Sequence, residues 1–299
     1  MSRTPRKEFS WSISRWTMFD RCPLECYYHY HASWGGWESS AEAMTVRFYE
    51  LKKSLPLETI AFESWVDALK DALPAVSALS GGRGSGLDLA SIARSAVYAA
   101  RRRVEDFPTL EARRCALSAE EADSLLADSV RRFSAELAES PFIELFLESE
   151  PLEFLRYHTP ASFILDGIRV WTNPLLISRG ARGISVFNIL PEKAPLERIF
   201  LRGAVDAAFA AELARTPLRD DTVATTSIVL APPEFPVVRE RIPHSSLQSF
   251  VRQTTDAMLA PTKLDTDIRE ELFPPTDDPG NCANCRFLHE CRGTSQNIA

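Results

Sequence analysis

The chain has 299 residues, 41 acidic against 34 basic side chains, a formal net charge of −7 and 45% hydrophobic residues. This is ordinary globular composition, and it excludes a global basic field, so any DNA or RNA contact must come from a local patch. No apolar run approaches the roughly 20 residues that span a bilayer, the basic start MSRTPRKEF has no secretory apolar run behind it, and six cysteines are too few for a disulfide scaffold; the chain reads as cytoplasmic.

Residues 10–33, SWSISRWTMFDRCPLECYYHYHAS, predict a short helix capped by Ser12 or Ser14, a break at Pro23 and an aromatic helix. Residues 40–75 predict helices punctuated by Pro56 and Pro74. SGGRGSG (80–86) reads as a flexible loop; without the Lys-Ser/Thr of a P-loop it carries no phosphate-binding signal. Residues 87–147 are rich in Ala, Leu, Glu and Arg at helical spacing. The character then changes. Residues 152–158, 162–180 and 183–190 read as strands of a meander, with turns at Gly167, Gly180 and Gly183. Residues 196–215 form an amphipathic helix, 222–232 and 235–242 two more strands, and 245–259 a helix capped by Ser245 or Ser246.

The tail GNCANCRFLHECRG (280–293) holds Cys282, Cys285 and Cys291 in a C-x₂-C-x₅-C pattern. Three soft ligands can hold a metal, but tetrahedral zinc or a cubane cluster requires four. Cys115, in an Ala-rich helical setting, reads as a buried structural thiol. Spacing alone leaves Cys22, Cys26 and His289 open as the fourth ligand.

The phrase S-x-S-R-W-x-x-F-x-x-C-P-x-x-x-x-Y at 12–28, with C-x₂-C-x₅-C at the far end, resembles the iron–sulfur branch of the PD-(D/E)XK nuclease superfamily. That branch includes RecB-like exonucleases and CRISPR-associated adaptation nucleases. YYHYHASWGGWE (27–38) and YELKK (49–53) are similar to segments of one subfamily; residues 70–147 carry little likeness. The resemblance implies an α/β fold with a restriction-endonuclease-like core, a helical N-terminal half, and a 4Fe–4S cluster that joins the termini through Cys22, Cys282, Cys285 and Cys291. Zinc in the same thiolates is the lesser alternative. The implied organisation is a cluster-ligand segment (1–39), a helical subdomain (40–147), a nuclease-like core (148–270) and a C-terminal iron–sulfur segment (271–299).

The resemblance also says where catalysis should sit. A Pro-Asp step on one strand and an acid-x-Lys step on the next would hold Mg²⁺ and orient water. Here the first falls on Pro174-Leu175 and the second on Asn188-Ile189-Leu190. Leu175 cannot bind magnesium, Asn188 offers only a neutral carbonyl, and Leu190 cannot replace a lysine. The family's upstream helical histidine is missing from ETIAFESWVDAL (58–69), and its Gln-x-x-x-Tyr aligns with Val205 and Phe209. The implied protein is a pseudonuclease with no bound magnesium. Nearby acids (Glu148, Glu150, Asp166, Glu192, Asp206) read as exposed. Glu192-Lys193 would point to opposite faces of a strand, and Glu50-x-Lys52 lies in a helix.

The expected function is a scaffold or nucleic-acid-binding subunit of a DNA-processing or antiviral defence complex, with a protein partner, optional DNA contact and no membrane. The alternative is an active Mg²⁺-dependent DNA exonuclease with a rearranged site; redox sensing by the cluster is a third option. Arg101–Arg103, Arg113, Arg114, Arg131, Arg132, Arg239, Arg241 and Arg252 are candidate groove residues, against the plainer reading of solvated helix faces with pairs such as Arg101–Glu105. The aromatics of WGGWE (34–38) suit a protein partner at least as well as DNA.

Overall fold

The computed structural model describes residues 8–79, 87–106, 117–149, 151–181, 183–191, 195–216, 223–240, 244–263, 268–283 and 285–291. Cys115, Arg113, Arg114, Glu150, Glu192, Lys193, Arg241 and the 80–86 segment lie outside them.

The chain opens with strand β1 (Ser10–Ser12) and helix α1 (Ile13–Arg21). Ser12 caps α1, its Oγ accepting from Arg15 N at 3.1 Å, the role expected for a residue just before the first turn. Cys22 then caps α2 (Pro23–Tyr27), with Pro23 at the first helical position, where a missing N–H costs nothing. A π-helical turn (Tyr28–Ala32) follows, then α3 (Ala43–Lys53). Three longer helices come next: α4 (Leu57–Leu79), α5 (Leu89–Asp106) and α6 (Ala119–Glu139), with short α7 (Phe142–Glu148). Helix α4 runs through Pro74 rather than stopping there. α6 begins with a full capping box, Ser118 with Glu121.

The second half is mixed α/β. Strands β2 (Pro151–Phe154), β3 (Ala161–Leu165), β4 (Ile168–Thr172), β5 (Leu176–Gly180) and β6 (Gly183–Leu190) lead into helix α8 (Leu196–Leu213). Then come β7 (Val223–Val229), β8 (Val237–Glu240), helix α9 (His244–Lys263) and short α10 (Pro279–Ala283). The expected meander is in fact split between two sheets. One has the order β1-β4-β3 and the other β2-β5-β6-β7-β8. The β3–β4 turn is Asp166-Gly167, with φ of 52° and 78°, the two positive angles that a tight right-twisting hairpin requires. β6 and β7 are parallel, so α8 is their crossover helix. Helix α9 starts at His244, which leaves Ser245 and Ser246 inside it rather than at its cap.

Two cores flank the five-stranded sheet. Helices α4 to α7 pack on one face, where Trp65, Phe133, Phe142 and Phe146 meet Leu175, Phe187 and Ile189. Helices α8 and α9 and the small sheet cover the other, around Ile177, Ile184, Val186, Val205 and Phe209. A third apolar cluster joins the two ends of the chain: Leu24, Tyr28, Phe48 and Leu51 against Phe273 and Phe287.

Gly36 makes one close approach in the WGGW turn. A Cβ there would strike Tyr49 Cβ and come within 2.6 Å of Thr45 O, both on α3. Gly36→Ala is therefore expected to destabilise by about 1–3 kcal/mol, as overpacking does. Thermal melting should show a fall of roughly 2–12 °C.

Candidate functional site

The four cysteines singled out from the sequence line one cavity of about 600 Å³, together with Glu25, Tyr28 and Phe287 among others. Cys22 arrives on the N-cap of α2, where its Sγ accepts from Glu25 N at 3.4 Å. Cys282 lies in the last turn of the tail's short helix α10, and Cys285 and Cys291 flank the turns after it. None of the five described cysteines forms a disulfide. Cys26 and His289 are absent from the wall. Cys26 is turned instead toward Arg15 and is buried. Cys22 is the extended cap residue ahead of α2, while Cys26 lies inside the helix, so the same-face rule for residues four apart does not hold between them, which spacing could not show.

Protein contacts hold the two ends of the chain in place around the cavity. Tyr28 Oη donates to Glu270 at 2.7 Å, and Arg47 pairs with Glu290 at 2.9 Å. Arg286 donates to the Lys52 and Ser54 carbonyls at 2.9 and 3.0 Å, satisfying the end of α3. Burial pushes the Cys285 thiol up to about 12, with Glu25 adding to it. Burial and then the neighbouring Cys22 and Cys291 raise Cys282. Such thiols become thiolates only when a cation or cluster takes the charge.

Among the described residues, no group of three or more His, Cys, Asp or Glu closes tightly enough to hold one metal ion. Zinc with bonds of about 2.3 Å would need its sulfurs within about 3.8 Å of one another. An iron–sulfur cluster would set four thiolates on the outside of a larger body; the residues placed to offer them are Cys22, Cys282, Cys285 and Cys291 on the one cavity wall.

The second candidate lies on β6. Side chains alternate along a strand, so Phe187 and Ile189 face helices α4–α7, while Ile184, Val186 and Asn188 face α8. Leu175 belongs to the first core, and Leu190 packs with Ile199 and Val229. Along the backbone Leu175 nevertheless lies beside Asn188, its N donating to Phe187 O at 3.0 Å, and Leu190 stands two residues beyond Asn188 on β6. What Asn188 meets is Asp206 on α8: its Nδ2 donates to Asp206 Oδ2 at 2.7 Å. Thr172 Oγ1, at the end of β4, donates to Asp206 Oδ1. Arg202 Nε stands 3.7 Å from Oδ2, and Lys70 Nζ nearby donates to Asn173 Oδ1 at 2.7 Å.

Asp206 is therefore not the exposed helix acid expected from the sequence; it is 0% exposed. Gly203, Ala204, Ala208 and Ala210 let α8 lie close on the sheet, and a Cβ on Gly203 would sit 3.0 Å from Thr225 Oγ1. Burial raises the Asp206 carboxyl, against the pull of Arg202 and the two hydrogen bonds. The face of α8 that reaches Asn188 carries Arg202 and Asp206, at the same i,i+4 spacing as Val205 and Phe209. Those two sit instead in the apolar core. Of the other acids, Asp166 pairs with Arg252 and Glu148 with Arg239 at 3.7 Å.

The candidate groove arginines among the described residues are also paired. Arg101 pairs with Asp123 rather than Glu105, which Arg102 takes at 3.9 Å. Arg103 meets Glu63, Arg131 meets Asp128 and Arg132 meets Glu58. Each of these described arginines already faces a carboxylate, so they do not form a bare cationic strip. In the WGGWE turn, Trp34 is half-buried and Trp37 exposed, with the two rings edge to face at 4.9 Å. No family model matches this chain, and no curated protein matches it either. No helix among the described residues is long and apolar enough to cross a membrane.

Proposed function

We propose that this chain is a non-catalytic, nuclease-shaped iron–sulfur protein that serves as a subunit of a nucleic-acid-handling complex, in DNA processing or antiviral defence. The observation that carries the reading is the meeting of Cys22 with Cys282, Cys285 and Cys291 on one cavity wall. Cys22, Cys282, Cys285 and Cys291 would hold the cluster, which supplies a covalent link between the ends of the chain. Tyr28, Phe287 and Glu25 would shield it from water.

The loss of catalysis is supported by the strands. Mg²⁺ takes oxygen ligands in a near-octahedral shell and keeps several waters. Asp206 has both carboxylate oxygens engaged and no exposed surface. Leu175 and Leu190 are packed among apolar side chains. The rival, an active nuclease rebuilt on Asp206 with Lys70 beside it, would need α8 to lift from the sheet before metal or water could enter.

Purified protein is expected to leave single- and double-stranded DNA intact with Mg²⁺ or Mn²⁺. Cleavage that disappears in Asp206→Asn would overturn the non-catalytic reading. Affinity purification of the tagged chain is expected to recover one stoichiometric protein partner, of the helicase, polymerase or active-nuclease class.

A further inference from the structure

A second cavity, of about 470 Å³, lies where β1, the π turn, α3 and the end of α9 meet. Its wall includes Arg15, Tyr30, Trp34, Lys52 and Trp171, with Glu8 as a carboxylate on the same wall. The volume is that of a small-ligand pocket, about 300–1,000 Å³.

Arg15 is unlike the surface arginines. Its guanidinium lies 4.4 Å from the Phe9 ring centroid and 4.2 Å from that of Tyr30. One nitrogen donates to Ser10 O at 2.9 Å, while Nε is buried and has no hydrogen-bond partner. Among the described residues no carboxylate pairs with it, Glu8 included. The neighbouring Cys26 thiol is held at about 11 by burial, so it stays neutral and supplies no counter-charge. Trp34 Nε1 is a second buried donor with no partner. Lys52 Nζ stands 5.3 Å from the Tyr30 ring centroid. His29, whose ring packs on Tyr30 at 4.5 Å, is driven down to about 2 by burial and then by Lys52, Arg286, Arg15 and Lys53. In a chain of net charge −7, this is a concentrated positive site with rings around it.

A half-buried cation without a counterion is costly unless something neutralises it. A phosphate does so and accepts from two donors at once. Aromatic walls offer stacking faces to a base, whatever its identity. We propose that this cavity recognises a nucleoside phosphate, as one unit of a single strand or as a free nucleotide. The phosphate sits against Arg15 and Lys52, and the base against the Trp34 ring, since the Tyr30 ring already carries Arg15 at 4.2 Å and His29 at 4.5 Å. The proposal rests on the nucleic-acid-handling reading above, but not on the cluster or on a protein partner.

The test uses the purified full chain and a fluorescein-labelled 20-nucleotide oligothymidylate, followed by anisotropy at two salt concentrations. Thymidine monophosphate, followed by tryptophan quenching, is the second arm. Wild-type binding is expected to fall with salt, by a log–log slope of about −0.7 per phosphate contact. Arg15→Gln should weaken it by at least about tenfold, the usual scale for a lost charge-assisted hydrogen bond. Lys52→Gln, less enclosed, should weaken it with an unchanged melting curve, which guards against a misfolded Arg15 variant. Preference for the strand identifies a polymer ligand, and equal binding of the monophosphate identifies a free nucleotide. Absence of binding in both arms overturns the pocket. So does strand binding that neither substitution changes, since the contact then lies elsewhere. If a stoichiometric partner is recovered while both arms fail, the subunit reading stands and only the pocket is lost.

Discussion

Cys22→Ser is expected to strip anaerobically purified protein of its brown colour, iron and acid-labile sulfide, and to lower its melting temperature by more than about 10 °C. The magnitude follows from two scales. Structural metal sites contribute on the order of 10 kcal/mol to folding, and 1 kcal/mol moves the midpoint of a domain this large by about 2–4 °C. Half of that contribution would already give about 10–20 °C. The protein contacts around the cavity are individually modest, and the third apolar cluster is small, so they do not replace four thiolate bonds. Cys26→Ser is the control. Its thiol is also buried but faces Arg15 and lies off the wall, so colour and iron should survive with a stability loss of about 1 kcal/mol, the scale of one altered buried contact. Loss of colour in the Cys26 variant, with retention in the Cys22 variant, would reverse the ligand assignment. Colourless protein holding one equivalent of zinc would keep the ligands and remove the iron, because zinc's filled d shell gives no visible bands.

Local chemistry made several features legible before the structure. Ser12 caps α1 because a hydroxyl one residue ahead of a helix finds an orphan N–H. The Asp166-Gly167 turn follows from the two positive φ angles that only such residues adopt cheaply. Strand β1 was not legible: three residues, Ser-Trp-Ser, are too short to show alternation, and their partner β4 is more than 150 residues away. The split of the strands into two sheets was hidden for a related reason. Apolar runs on β3, β4 and β5 look alike, and only tertiary packing decides which pair. The facing of α8 is not defined by periodicity because six of the nine residues 203–211 are Gly or Ala, which leaves the face that meets Asn188 unmarked. Arg15 escaped notice because a lone arginine in a capped first turn looks solvated. Its signal was the flanking aromatics, Phe9 and Tyr30, which meet over it only after folding.

Asp206→Ala is expected to cost about 3–5 kcal/mol, the scale for removing one partner of a buried ionic or hydrogen-bonded group, and so to lower the melting temperature by about 6–20 °C. The Thr172 hydroxyl and the Asn188 amide would each lose their acceptor inside the protein, and Asn188 Oδ1 already has no partner there. Arg202 would face an empty position. Asp206→Asn keeps the shape and one acceptor and should cost less, about 1–3 kcal/mol. The pH dependence separates charge from shape. Burial raises the Asp206 carboxyl above its ordinary value of 3.8, so the folded state binds this proton more tightly than the unfolded chain. The stability this linkage contributes is fully present below 3.8 and is lost as pH rises through the folded value. Asparagine does not titrate. The stability of wild type relative to Asp206→Asn should therefore be greater near pH 5 than near pH 8, measured by urea denaturation at each pH. A gap that widens with rising pH would mean that Arg202 and Lys70 hold the carboxylate ionised and that burial is not the dominant force. That outcome would also reopen Asp206 as a charged group within reach of a metal, and would weaken the case that this sheet has lost its chemistry.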